Sequence, residues 1–183
     1  DKVREILKRL EDLVRTNKER IDESIEELER LADENRRRIK KSIDDLRRLI
    51  EEVERIVKDR RDDRTLDKIV TEAKETVKRI HEENERNSKR SSETVKKIHD
   101  ENREHSKRSS EEAKRLIDEL RKDGLEVVRD VERVLEEVDR ANRDLVRRSK
   151  EVVDKVHETN KKLVEESKEA VDRVTELLER ARK

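Results

Sequence analysis

Four histidines, His81, His99, His105 and His157, are the side chains of this 183-residue chain best suited to chemistry near neutral pH. Their spacing argues against a shared metal. His81 and His99 are 18 residues apart, about 27 Å along one helix. No HExxH motif and no histidine pair one helical turn apart occurs. His105 and His157 could approach other histidines only through a partner chain. Cysteine is absent, which removes thiolate nucleophiles, disulfides and Cys-based metal sites. Carboxylate pairs such as Glu26–Glu27 abound, but nothing in the pattern marks a concave pocket that would raise a carboxyl pKa. A Gly-rich phosphate loop is excluded because Gly124 is the only glycine. No catalytic residue, metal ligand, cofactor or small-molecule site is therefore expected, and the chain is not expected to be an enzyme. The histidines are expected to lie in polar networks or on the surface. A pH response is the remaining chemistry open to them, since protonation at about pH 6 removes an acceptor and adds a charge.

Charge excludes further classes. The chain has 51 basic and 51 acidic residues, so there is no general attraction to nucleic acid or anionic membrane. The basic run RRRIKK (36–41) reads as a solvated helix face opposite acidic groups. Phe, Trp and Tyr are absent, which leaves no stacking platform for bases. There is no apolar run of transmembrane length and no signal-peptide core, and a soluble protein is expected. A composition 56% charged and 28% apolar leans toward disorder. The balanced charge and the strict periodicity of the apolar residues oppose that and indicate long helices.

The unusual side chains are amides and hydroxyls. The stretch HEENERNSKRSSETVKKIHDENREHSKRSS (81–110) has only Val95 and Ile98 as clearly apolar residues, yet its surroundings are helical in pattern. Two breaks divide the chain. KDGLE (122–126) fits a helix stop at Gly124 with Leu125 as its hydrophobic partner. DRRDDRT (59–65) offers Asp62, Asp63 or Thr65 as the next N-cap. Helices are expected over about 2–60, 65–122 and 126–181, each roughly 85–90 Å long. The expected fold is all-α: one domain spanning 1–183, a single-chain antiparallel up-down-up three-helix bundle.

The first seam runs Val3, Ile6, Leu10, Leu13, Asn17, Ile21, Ser24, Leu28, Leu31, Asn35, Ile39, Ser42, Leu46, Leu49, Val53, Ile56. Steps of four interrupt the heptad at Asn17→Ile21 and Asn35→Ile39, so the unit is 18 residues in five turns. That matches the about 3.6 residues per turn of a straight helix, and nearly straight helices are expected. The unit recurs as a cassette: NKERIDESIEELERL (17–31) and NRRRIKKSIDDLRRL (35–49), TVKRIHEENERNSKRSSE (76–93) and TVKKIHDENREHSKRSSE (94–111), NRDLVRRSKEVVDKV (142–156) and NKKLVEESKEAVDRV (160–174). Second apolar rows widen the stripes of the first helix (Leu7, Val14, Ile25, Ala32, Ile43, Ile50) and the third (Leu135, Val146, Val153, Val164, Val171).

One register per hairpin gathers the seam amides and hydroxyls. If facing residues of the first two helices sum to 126, Asn17 faces Ser109, Ser24 faces Asn102, Asn35 faces Ser91 and Ser42 faces Asn84. If those of the second and third sum to 251, Ser109 faces Asn142, Asn102 faces Ser149, Ser91 faces Asn160 and Asn84 faces Ser167. Four three-residue layers result. A buried amide left alone costs about 1–3 kcal/mol, whereas connected networks specify register and helix partners. The twelve residues are therefore expected to form buried inter-helix hydrogen-bond networks. Thr76, Thr94, His157 and Thr175 are candidates to extend them. His81, His99, His105, Asn87, Ser88, Ser92, Ser106 and Ser110 fall on the flanks. The same register sets Asp22 and Glu23 against Arg147 and Arg148, and Lys40 and Lys41 against Glu165 and Glu166. An 18-residue slip would keep every layer but bring like charges together.

Cassette repeats, missing aromatics and proline, a single loop glycine, zero net charge and stacked Asn/Ser layers resemble de novo designed helical bundles. The closest style is the parametric, untwisted three-helix bundle with hydrogen-bond networks. The resemblance covers the whole chain and is one of style, with no binding motif. It implies a stable scaffold, or an oligomerisation or switch module, made in the cytoplasm of an expression host. Two functions follow: a monomeric scaffold without ligand, or an interaction module whose polar-lined second helix or second apolar rows recruit further helices as a homo-oligomer or with a designed partner helix.

Overall fold

The structure is a computed structural model that describes residues 2–59, 64–122 and 129–182. Its helices are α1 (Lys2–Asp59), α2 (Leu66–Lys122) and α3 (Arg129–Arg182). They pack against one another as an all-α three-helix bundle. The helix ends lie within three residues of those expected from the sequence. Gly124, Leu125, Asp62 and Asp63 lie outside the described residues. Thr65 is the residue that caps α2, its carbonyl accepting the first helical bond from Ile69 N at 3.0 Å.

Strong helix formers carry each element, and proline is absent. Exposed ion pairs three or four residues apart reinforce them, among them Arg15–Asp12, Arg36–Asp33, Arg108–Glu104, Arg147–Asp144 and Lys162–Glu158. Each contributes about 0.2–0.5 kcal/mol. Glu5 and Asp67 sit in first turns, and Lys58, Arg121 and Lys122 in last turns, which suits the helix dipoles.

The chain divides into two compact units, each taking a section of all three helices. Unit 1 is Asp1–Leu31 with Thr94–Asp154, and unit 2 is Ala32–Glu93 with Lys155–Lys183. The division on α2 falls at the junction of its two cassettes. Unit 1 has an apolar core of Ile6, Leu10, Ala113, Leu116, Ile117, Leu120, Val131 and Val138. Here α1 and α2 run antiparallel, with Asn17 bonded to His105 and Ser24 to Asn102. Unit 2 has a core of Leu46, Val53, Leu66, Val70, Ala73, Val77, Ala170, Val174, Leu177 and Leu178. Within it α1 and α3 run parallel, with Asn35 bonded to Asn160 and Glu54 to Arg173.

The second apolar rows are only partly covered. Ile25 and Val153 are buried, Leu7 is exposed, and Val14, Ala32, Ile43, Ile50, Leu135, Val146, Val164 and Val171 are half-buried. In unit 2 a cleft of about 360 Å³ opens between α1 and α3, floored by Ile43, Leu46, Ile50 and Ala170. One cassette earlier on α3, Val152 occupies the position of Ala170.

The inter-helix charges pair differently from the expected scheme. Arg148 reaches Glu29 at 3.8 Å, not Asp22 or Glu23, and Arg147 pairs with Asp144 and Glu151 on its own helix. Among the described residues no ion pair is seen between Lys40 or Lys41 and Glu165 or Glu166. Height alone set the expected partners, but Arg148–Glu29 and Arg173–Glu54 are both offset by six residues from that register. Six residues span about 9 Å, a distance that two extended side chains cross together.

Candidate functional site

The polar layers are the only places in the described residues where buried side-chain chemistry converges from all three helices. In unit 1 the layer nearer the apolar core centres on Asn142 of α3. Its amide Nδ2, with two hydrogens to give, has three acceptors in reach: Ser109 Oγ at 2.5 Å, Ser110 Oγ at 3.0 Å and the Ser106 carbonyl at 3.1 Å. Ser106 Oγ in turn donates to the Asn142 carbonyl at 3.3 Å. Across α1, Asn17 Oδ1 accepts from His105 Nε2 at 2.7 Å. Because an amide oxygen can only accept, His105 carries its proton on Nε2. The second layer of unit 1 has Ser24 Oγ donating to Asn102 Oδ1 at 2.8 Å, and His99 Nδ1 bonded to Ser149 Oγ. Ser149 also donates to the Val146 carbonyl at 3.1 Å.

Unit 2 repeats the plan with substitutions. Asn160 Nδ2 likewise has three acceptors in reach of its two hydrogens: Ser91 Oγ and Ser92 Oγ, each at 2.9 Å, and the Ser88 carbonyl at 3.0 Å. Its Oδ1 accepts from Asn35 Nδ2 at 2.9 Å, and Arg38 donates to Asn35 Oδ1 at 2.9 Å. Asn87 stands where unit 1 has His105. In the other layer, Ser42 Oγ donates to Asn84 Oδ1 at 2.9 Å and His81 Nδ1 bonds Ser167 Oγ at 2.5 Å. His81 Nε2 lies 2.6 Å from Glu85 Oε1, whereas the residue one turn beyond His99 is Arg103.

Of the twelve residues the sequence singled out, Asn17, Asn35, Asn84, Asn102, Ser109, Asn142, Ser149, Asn160 and Ser167 are buried, and Ser24, Ser42 and Ser91 are half-buried. The expected facing of Asn102 with Ser149 and of Asn84 with Ser167 needs correction. His99 and His81, one turn before those asparagines, bond the serines instead. An imidazole reaches farther than an amide and comes from the same face three residues away. Asn102 Nδ2 and Asn84 Nδ2 are consequently buried without a partner among the described residues, as are Asn142 Oδ1 and Ser88 Oγ. Asn17 likewise bonds His105, and Ser109 is taken by Asn142.

Two of the expected extensions bond within their own helices. Thr76 and Thr175 donate to the Glu72 and Val171 carbonyls of their own helices. Thr94 and His157 are exposed. The flanking residues His81, His99, His105, Ser92, Ser106 and Ser110 enter the networks through their side chains, and Ser88 enters through its carbonyl. The signal for them, His105 excepted because Asn87 replaces it in the other cassette, was their recurrence three residues from a seam position or beside one.

Burial lowers the pKa of His99 below its ordinary value. Asp100 and Asp154 push the other way, and Arg103 and Lys150 add to the lowering. The pKa of His105 is lowered by burial first and then by Arg20 and Arg108. Although Ser167, His81 and Glu85 form a chain of serine, imidazole and carboxylate, Ser167 is fully buried and no substrate can reach its hydroxyl. No group of three or more metal-ligating side chains occurs among the described residues. No described helix is long and apolar enough to cross a membrane. Comparison with protein families, characterised proteins and solved structures finds no match.

Proposed function

We propose that the chain is a de novo designed structural scaffold whose polar layers select register and helix partners, with no catalytic, cofactor, nucleic-acid or small-molecule role. One observation carries this reading. Asn142 and Asn160, 18 residues apart, each meet a serine pair and a backbone carbonyl of α2 in the same way. A repeated, buried amide with this many acceptors penalises any other helix pairing, because a slip by anything but a whole cassette strands it in an apolar surround. Most of the layers' polar groups bond one another across the helices, which suits a scaffold. The absence of any match to known families agrees with a designed origin.

A second reading, an oligomerisation or switch module, has the cleft over Ile43, Leu46, Ile50 and Ala170 in its favour, since a further helix could bury that apolar floor. Solution mass separates the two. Light scattering and small-angle X-ray scattering across a concentration series, with refractive-index detection because aromatics are absent, should return a constant 22.1 kDa for the scaffold. A multiple of that mass would overturn the monomeric scaffold in favour of the module.

A further inference from the structure

The two units are close copies in sequence, but their histidines are not equivalent. Unit 1 holds two ring-bearing layers, with His99 on Ser149 and His105 on Asn17. Unit 2 holds one, His81 on Ser167, and has the untitratable Asn87 in the other. The surroundings differ as well. His81 has a carboxylate oxygen of Glu85 against its second ring nitrogen. His99 has Arg103 at the corresponding place on α2, with Asp100 beside it, and Lys150 and Asp154 facing from α3; on α1, Ser24 joins its layer through Asn102 and Glu27 lies at its height in the register. His105 is flanked by Arg108 on α2 and Arg20 on α1, with uncharged Asn17 and Asn142 completing its layer from α1 and α3.

We infer that unit 1 is an acid-responsive half of this molecule: protonation of His99 and His105 opens its polar layers while the layers of unit 2 stay closed. The chemistry follows from the donor and acceptor inventory. Neutral His105 donates through Nε2 to Asn17, so an added proton goes to Nδ1, where it creates a third cation beside Arg20 and Arg108. For His99, Ser149 already gives its proton to the Val146 carbonyl, so the ring donates through Nδ1 and an added proton goes to Nε2. There burial disfavours the charge most, Asp100 favours it, Arg103 and Lys150 disfavour it, and Asp154 favours it least. The corresponding nitrogen of His81 instead finds Glu85 in hydrogen-bond reach. A charge on a half-buried ring that has no carboxylate in hydrogen-bond reach, as Glu85 is for His81, is relieved by separating the helices and admitting water. The device uses the polar layers themselves, and it needs neither the scaffold reading nor the module reading to hold.

Amide hydrogen exchange by mass spectrometry on the full chain tests it, since the two cassettes of α2 act as internal controls for each other. The comparison is between about pH 7.5 and about pH 5, the lower limit staying above the ordinary carboxylate range. After correction for intrinsic exchange, opening should rise several-fold in 94–111, 17–24 and 142–149 and stay level in 76–93. The double variant Arg103→Glu with His105→Asn gives unit 1 the residues that unit 2 already accommodates, and it should abolish the rise. The variant Asn87→His, which places a ring between Arg38 and Arg90 as His105 lies between Arg20 and Arg108, should confer an acid response on 76–93. Equal opening of both cassettes, no opening of either, or a rise that survives the double variant would overturn the inference.

Discussion

Asn142 and Asn160 offer a paired measurement of one buried hydrogen bond. Both are buried, 3% and 4% exposed, and both donate to serines of α2 in the same pattern. They differ at the amide oxygen. Asn160 Oδ1 accepts from Asn35 Nδ2 at 2.9 Å, whereas Asn142 Oδ1 has no partner among the described residues. Replacing either residue by alanine removes the same side-chain volume from equivalent places in the repeat, so the cavity contributions nearly cancel. The serines lose little in either case, because Ser91 and Ser109 also reach the Ser88 and Ser106 carbonyls. What remains is the Asn35 amide, which Asn160→Ala leaves buried without its acceptor. An orphaned donor of this kind costs about 1–3 kcal/mol. Asn160→Ala should therefore destabilise the protein by about 1–3 kcal/mol more than Asn142→Ala. Guanidinium unfolding followed by far-ultraviolet circular dichroism measures both, with unchanged denaturant slopes as the condition for comparing them. Equal losses, or a larger loss for Asn142→Ala, would refute the idea that the amide–amide bond sets the difference.

Three further outcomes are expected. Ala170→Val places two more carbons over the cleft between Ile43 and Ile50 and should stabilise unit 2 by about 1 kcal/mol, near the worth of a buried methylene or slightly more; a lower unfolding midpoint would show that the cleft does not admit them. Thr65→Ala removes the preferred N-cap side chain of α2 and should cost about 1 kcal/mol in the same assay, with Thr65→Asp close to neutral. His99 and His105 are both harder to protonate in the fold than at their ordinary value of 6.5. The unfolded chain then binds protons first, so the stability these rings contribute is present above that value and is lost as pH falls through the folded-state pKa values. Unfolding free energies at about pH 7.5 and about pH 5.5 should therefore fall on acidification, and His99→Asn with His105→Asn should flatten the change.

The layers combine two demands that usually conflict. An apolar interior gives the larger share of stability, but it is tolerant of slips between similar surfaces. Amides and hydroxyls reduce that tolerance at a local cost, visible here in the buried Nδ2 atoms of Asn84 and Asn102, which have no partner among the described residues. The cost is confined to the middle of each helix, while the clusters around Leu10 and Leu116, and around Val70 and Val174, are wholly apolar.

The sequence by itself determined the three helices, the 18-residue period and the heights at which polar residues meet. Missing proline, a single glycine and unbroken periodicity leave no other secondary structure open, and the numbering sums locate Ser24 opposite Asn102 and Asn142 opposite Ser109, where hydrogen bonds form. Only the tertiary structure decided which neighbour at a given height takes the bond. Residues three or four apart share a face and lie about 5 Å apart along the axis. Height therefore does not separate His99 from Asn102 as partner of Ser149, nor His105 from Ser109 as partner of Asn17. Rotation of each helix about its axis and the reach of each side chain settle that choice. The same freedom carries Arg148 to Glu29 in place of Glu23, because long charged side chains at the rim are held by no packing constraint.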